Sequence, residues 1–231
     1  IYLIAFLTLA FLGFIKGFQN PHKHRWFVLM YLAVSLGILT KGPIALFITA
    51  GVIGVFLLLQ RRLDMIPKMR LLYGLAIIII VAGPWFVYMT SVFPGKDGTF
   101  YGEKGYFRTF FLEHHLNRYG TERYGHEESP LFCLETLIIG LLPWTGVAAT
   151  AVARYVRAAF RRENNDWTSQ ILIIWAGFVV GFFSLAMTKL VNYALPAVVP
   201  LGILTGRYLY EYWQSDFTRR RHEKTFRLAY L

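Results

Sequence analysis

The chain has 231 residues, 56% hydrophobic and 17% aromatic but only 16% charged. About a quarter of a soluble domain would be charged, so a soluble globular class is excluded. The net charge of +11 raises nucleic-acid binding, but basic residues of membrane proteins gather on cytoplasmic loops, and their placement here supports that reading. The single cysteine, Cys133, excludes an internal disulfide and a cysteine metal cluster.

Residues 1–15 are uncharged and look like the end of a span; with no Met and no basic leader before them, the chain is expected to be part of a longer protein. Residues 16–25 form a polar turn. Two apolar runs, 26–40 and 44–60, are separated only by Lys41-Gly42-Pro43. A basic loop (61–70) precedes an uncharged run over 71–93. A long polar interval, 94–130, follows. The run 131–153 is apolar except for Glu135, 154–166 is basic, 167–188 is a span, 189–193 a break and 194–206 apolar again. A basic tail, 207–231, closes the chain. These runs are apolar on every face, unlike the alternating strands of a membrane barrel. The expectation is an all-α polytopic transmembrane bundle of about seven spans, one membrane domain over 1–231, with no internal repeat.

Topology turns on whether 26–60 is one overlong span or two hinged at Lys41-Gly42-Pro43. Two spans put the loops 16–25, 61–70, 154–166 and the tail on one side. That side holds 17 Lys and Arg against 6 acidic residues and leaves 7 of each for the other. The positive-inside asymmetry is then clean, so two spans are expected. Lys41, the interval 94–130 and Lys189-to-Tyr193 converge on the extracytoplasmic face.

The polar interval carries the densest chemistry. Residues 107–118 read as a helix lying on the membrane, with Phe107, Phe110, Phe111 and Leu112 on its apolar side. Glu113, His114 and His115 offer ligands for a divalent ion (Zn, Mg or Mn), and Arg118 one turn on offers a fork for phosphate; the alternative is a merely wet polar face. The three are too close together to close a site alone, so a metal needs a further ligand. A lysine breaking an apolar hairpin is a functional candidate by default, which singles out Lys41 and Lys189; each otherwise caps its span by snorkelling. Glu135 lies near the interface, where it pairs or takes part in chemistry. Pro84-Trp85 and Pro143-Trp144 read as kink-plus-anchor elements. No phosphate-binding glycine loop, HExxH, GxSxG or CxxC occurs. Nucleotide donors are unavailable on the outer face, so an enzyme there needs a lipid-borne donor.

With these residues in place, the chain resembles the bacterial polyprenyl-phosphate-dependent glycosyltransferases that include the lipid A aminoarabinose transferase and relatives of the protein O-mannosyltransferases. The resemblance rests on GILTKGPIA at 37–45, GPWF at 83–86, FFLEHHLNRY at 110–119, HEESP at 126–130, GLLPW at 140–144 and SLAMTKLVNYALP at 184–196. These occur in the family's order. The resemblance implies a GT-C fold in a bacterial inner membrane and transfer of a sugar from polyprenyl phosphate to a lipid or protein acceptor. It places the donor phosphate on Lys41, Arg118 and Lys189, Tyr193 and His126 in the cavity, and Glu113, His114 and His115 at a metal or phosphate site. It also implies that the catalytic acidic base precedes residue 1, so residues 1–231 alone are expected to be inactive. The break reads Lys-Leu-Val-Asn-Tyr where many relatives have Lys-Leu-Pro-His-Tyr. Two other classes compete: a lipid-linked transporter, which predicts pseudo-symmetric halves that are not seen, and a non-catalytic scaffold, which predicts tolerance of alanine at Glu113, His114 and Arg118.

Overall fold

A computed structural model describes residues 1–95, 105–110, 129–161, 166–186 and 189–214. Among them all regular structure is helical: α1 (Tyr2–Gln19), α2 (Arg25–Lys41), α3 (Ile44–Leu59), α4 (Met65–Lys68), α5 (Leu71–Val92), α6 (Gly105–Phe107), α7 (Phe132–Gly140), α8 (Thr145–Arg161), α9 (Trp167–Ser184) and α10 (Leu195–Gln214), with a 3₁₀ turn at Val191–Tyr193. Helices therefore stand at all seven expected apolar runs. Of these, α1, α5 and α9 are long and apolar enough to cross a bilayer singly. The chain divides into two compact units, Ile1–Glu128 with Leu185–Lys189, and Ser129–Ser184 with Leu190–Leu231.

In the first unit α1 packs on α2 and α3, and α2 also on α3 and α5. The turn at residue 42 divides the run 26–60 into two helices rather than one long one. Gly42 has φ 77° and ψ −162°, a region that is essentially glycine's alone. Its N–H still closes α2 on the Ile38 carbonyl at 2.8 Å, and α3 begins two residues later. With 16 residues, α3 is about 24 Å long, short of the roughly 30 Å hydrocarbon layer. Close approach of α1 to α2 depends on Gly13, where a Cβ would stand 2.8 Å from the Trp26 carbonyl oxygen and 2.9 Å from the Met30 nitrogen. Phe14, Phe18 and Phe56 fill the space beside it, with Phe56 edge-on to both other rings. By contrast α5 buries only Gly74 and Ala82 within the chain; its remaining surface is almost entirely apolar, as suits a lipid-facing helix.

Two arginines have left-handed backbones in the loop between α3 and α5, Arg61 (φ 54°) and Arg70 (φ 52°). Arg61 ends α3 in a Schellman arrangement: its N–H bonds the Leu58 carbonyl at 3.1 Å, and the Arg62 N–H bonds that of Leu57 at 2.9 Å. Asp64 accepts from Arg62 (2.9 Å) and Lys68 (2.8 Å). Those hydrogen bonds lower its pKa to about 2.

In the second unit the kink expected at Pro143-Trp144 is a sharp bend. The run 131–153 is not a straight span: α7 and α8 meet at an angle of 118°. Pro143 lies in the four-residue break, where its ring and missing N–H disfavour continuation of the helix. The Thr145 hydroxyl crosses the bend to the Ile138 carbonyl at 2.6 Å. The last helix also runs further than expected, past Gly206 to Gln214. Asp166 caps α9, its Oδ1 accepting the Ser169 N–H at 3.2 Å. Helices α8, α9 and α10 pack on one another, and Trp175 and Val179 of α9, Leu204 and Tyr208 of α10, and Val147 and Ala151 of α8 are all buried.

Candidate functional site at the helix breaks

In the first unit His24 and Arg70, which open α2 and α5, line one cleft. The two helices therefore start at the same end and run parallel, and their C-termini share the opposite end. Lys41 is the last residue of α2 and half-buried. Beside it the Thr40 hydroxyl donates to the Gly37 carbonyl at 2.8 Å, which turns that hydroxyl inward. Beyond α5 the chain returns to it: the Tyr106 N–H bonds the Phe93 carbonyl at 2.9 Å. Gly105 makes this return possible, at φ 68° and against Pro94. Tyr106 stacks on Phe110 (5.2 Å between ring centres, 12° between planes), and Phe86 lies 5.7 Å from Phe110. Tyr106 is 3% exposed. This aromatic cluster was not singled out by sequence reasoning. Its signal was present in two of the matching pieces, GPWF and FFLEHHLNRY.

Lys189 is 7% exposed, far lower than a chain-end lysine that snorkels. Its stretch, Leu185–Lys189, belongs to the first unit although α9 before it and the 3₁₀ turn after it belong to the second. Two of the three cations expected at the donor phosphate, Lys41 and Lys189, thus fall in one compact unit. Tyr193 falls in the other, half-buried and stacked on Phe183 at 4.6 Å. Glu135 is exposed in the first turn of α7. The third cation, Arg118, together with Glu113, His114, His115 and His126, lies outside the described residues. The same holds for the interfacial helix beyond residue 110. Among the described residues, no group of three or more His, Cys, Asp or Glu is placed to hold a metal ion.

A second polar cluster, also not foreseen, joins three helices of the second unit. Arg207 of α10 pairs with Asp166 at 2.6 Å and with Glu211 at 2.9 Å, Glu211 pairs with Arg154 of α8 at 2.8 Å, and Arg207 donates to the Ser169 hydroxyl at 2.9 Å. Burial opposes ionisation of Asp166, but hydrogen bonds from Arg207 and Ser169 outweigh it and keep its pKa below the usual value. Here cations pair with anions of the same unit. The spacing of Arg207 and Glu211 (i, i+4) carried the signal, but both fell in the stretch assigned to the tail.

Comparison with known proteins agrees with this architecture. The dolichyl-phosphate-mannose-protein mannosyltransferase family matches residues 1–88. The undecaprenyl phosphate-alpha-4-amino-4-deoxy-L-arabinose arabinosyl transferase 1 of Proteus mirabilis is 29% identical over 210 residues, 89% of this chain and 35% of that protein. The corresponding transferase of Pseudomonas aeruginosa is 30% identical over 182 residues, 79% of this chain and 30% of that protein. The crystal structure of ArnT from Cupriavidus metallidurans bound to undecaprenyl phosphate superposes with a TM-score of 0.69 at 25% identity, covering 90% of this chain and 34% of ArnT. The chain spans about a third of the length of the curated relatives it matches. With helices at the seven expected runs and lysines at both hairpin breaks, the chain has the fold of, and is similar over most of its length to about a third of, these polyprenyl-phosphate-dependent membrane glycosyltransferases.

Proposed function

We propose that this chain forms part of a transferase of the bacterial inner membrane. The enzyme moves a sugar of the aminoarabinose class from undecaprenyl phosphate to a lipid acceptor on the extracytoplasmic face. Lys41, Lys189 and Arg118 hold the donor phosphate, and Tyr193 with His126 lines the cavity. The observation that carries the reading is the depth of Lys189 in the unit that also contains Lys41. A lysine this far from water is costly in a membrane. An ammonium on a flexible stem can serve as a point charge for an arriving anionic phosphate. The similarity to arabinosyl transferases and to ArnT with undecaprenyl phosphate supports the donor class.

The chemistry follows from charge. When the acceptor hydroxyl attacks the anomeric carbon and gives its proton to the acidic base expected before residue 1, the bond to the phosphate oxygen breaks and polyprenyl phosphate leaves with an added negative charge. Fixed cations at that oxygen stabilise the transition state more than the ground state. Lysines at two helix breaks deliver that charge from a rigid frame, and lipid around α5 keeps the prenyl tail solvated.

The test is transfer of radiolabelled sugar from its undecaprenyl-phosphate carrier by the intact protein in membranes. Label in a lipid acceptor supports the reading. Label found in protein, or no transfer from any polyprenyl carrier, overturns it.

A further inference from the structure

At the end of the first unit remote from Lys41, α2 and α5 enclose a cleft of about 120 Å³. Its walls are Phe27, Val28, Tyr31, Tyr73 and Ile77, and His24 and Arg70 also line it. The Tyr31 hydroxyl does not face a ligand; it is spent on the Met69 carbonyl at 3.0 Å. The remaining wall is apolar. Two polar groups are left over. Nδ1 of His24 is buried and makes no hydrogen bond among the described residues. Arg70 is exposed, holds a left-handed backbone and lays its guanidinium over the Tyr73 ring at 5.7 Å.

The surrounding charge is one-sided. Lys23 and Arg25, which flank His24 in sequence, and Arg70 have no carboxylate within ion-pair distance among the described residues, and the nearby loop's Asp64 is paired with Arg62 and Lys68. Next to this rim Leu71, Leu72 and Tyr73 are 50%, 82% and 68% exposed at the start of α5. Cationic rim, apolar slot and apolar flank in that order match an amphiphile with an anionic head. We propose that this cleft binds an anionic glycerophospholipid of the leaflet on the basic side. Arg70 and His24 bond its phosphate, and the first carbons of its tail enter between α2 and α5. A guanidinium placed over an aromatic ring at the rim leaves N–H donors for two phosphate oxygens. The cleft lies at the opposite end of α2 from Lys41, so it is distinct from the donor site.

The test reconstitutes the intact protein into nanodiscs of mixed phosphatidylglycerol and phosphatidylcholine and counts retained lipid by native mass spectrometry. Wild type should retain phosphatidylglycerol selectively. Arg70→Gln should lower that retention roughly tenfold, the loss of one charge-assisted hydrogen bond, and His24→Ala should lower it less. Arg157→Gln, which removes an exposed cation from the second unit, should leave it unchanged. Ile77→Trp, which fills the slot, should release the lipid; because it also risks misfolding, the surface variant Arg70→Gln decides. Equal retention in Arg70→Gln and wild type overturns the site, as does an equal fall in Arg157→Gln, which would mean general surface charge. Displacement by excess inorganic phosphate would also overturn it, since the slot would then contribute nothing.

Discussion

A Cβ at Gly13 would stand 2.8 Å from the Trp26 carbonyl oxygen and one at Gly17 would strike the Phe27 ring, whereas Gly177, Gly181, Gly202 and Gly206 of the second unit have no neighbour within 4 Å. The first unit brings its helices together by backbone approach, the route open to membrane helices that gain nothing from burying leucine against leucine. In the second unit the ends of α8, α9 and α10 are tied by Arg154, Asp166, Arg207 and Glu211. The difference extends to ligands. Charges that pair among themselves are spent on structure, while the basic rim of the first unit keeps its cations for something else.

The comparison breaks most directly at Gly13. Gly13→Leu forces α1 from α2, and we expect a loss of about 3 kcal/mol or failure to accumulate, read by fluorescence-detected size exclusion during heating. Gly177→Ala, by contrast, meets open space and should be neutral or stabilising by about 0.5 kcal/mol. If both substitutions behave alike, glycine contact is not what separates the units. Next in size is Arg207→Gln, which leaves Asp166 and Glu211 half-buried opposite a neutral group. Allowing for solvent screening, the expected cost is about 1–2 kcal/mol.

The same cluster gives a pH signature. The pKa of Asp166 is depressed on folding, so its contribution is complete above its ordinary value of 3.8 and is lost as pH falls through the folded value. Stability of the wild type should therefore fall below about pH 4 more steeply than that of Asp166→Asn. Parallel profiles would remove Asp166 from the account. The smallest effect is expected at Arg61, whose left-handed position at the end of α3 favours glycine; Arg61→Gly should stabilise by about 0.5 kcal/mol.

Much of this frame was legible in the sequence because charge and apolar length are linear properties. The hinge at Lys41-Gly42-Pro43 followed from counting cations on each side, and Gly42 adopts the backbone that such a hinge requires. The bend between α7 and α8 was harder to see. Composition over 131–153 is that of one span, and Pro143 marked a kink without giving its angle. The Arg207 cluster was missed because its partners lie on three helices and Arg207 sits just past the last apolar run. The burial of Lys189 was not legible either, since a lysine beside an apolar run reads equally well as a cap. Arg118 and the Glu113-His114-His115 set were singled out by residue type, spacing and the family resemblance, and lie outside the described residues.

The most direct test of the central claim is sugar transfer from its undecaprenyl-phosphate carrier by the intact protein carrying Lys189→Gln, beside Lys41→Gln and wild type. Size exclusion and protein level would show that each variant folds. If Lys189 meets the donor phosphate, transfer should fall by about a hundredfold or more, the scale of losing one preorganised charge at a developing oxyanion. A folded Lys189→Gln protein that transfers sugar at the wild-type rate would contradict the account.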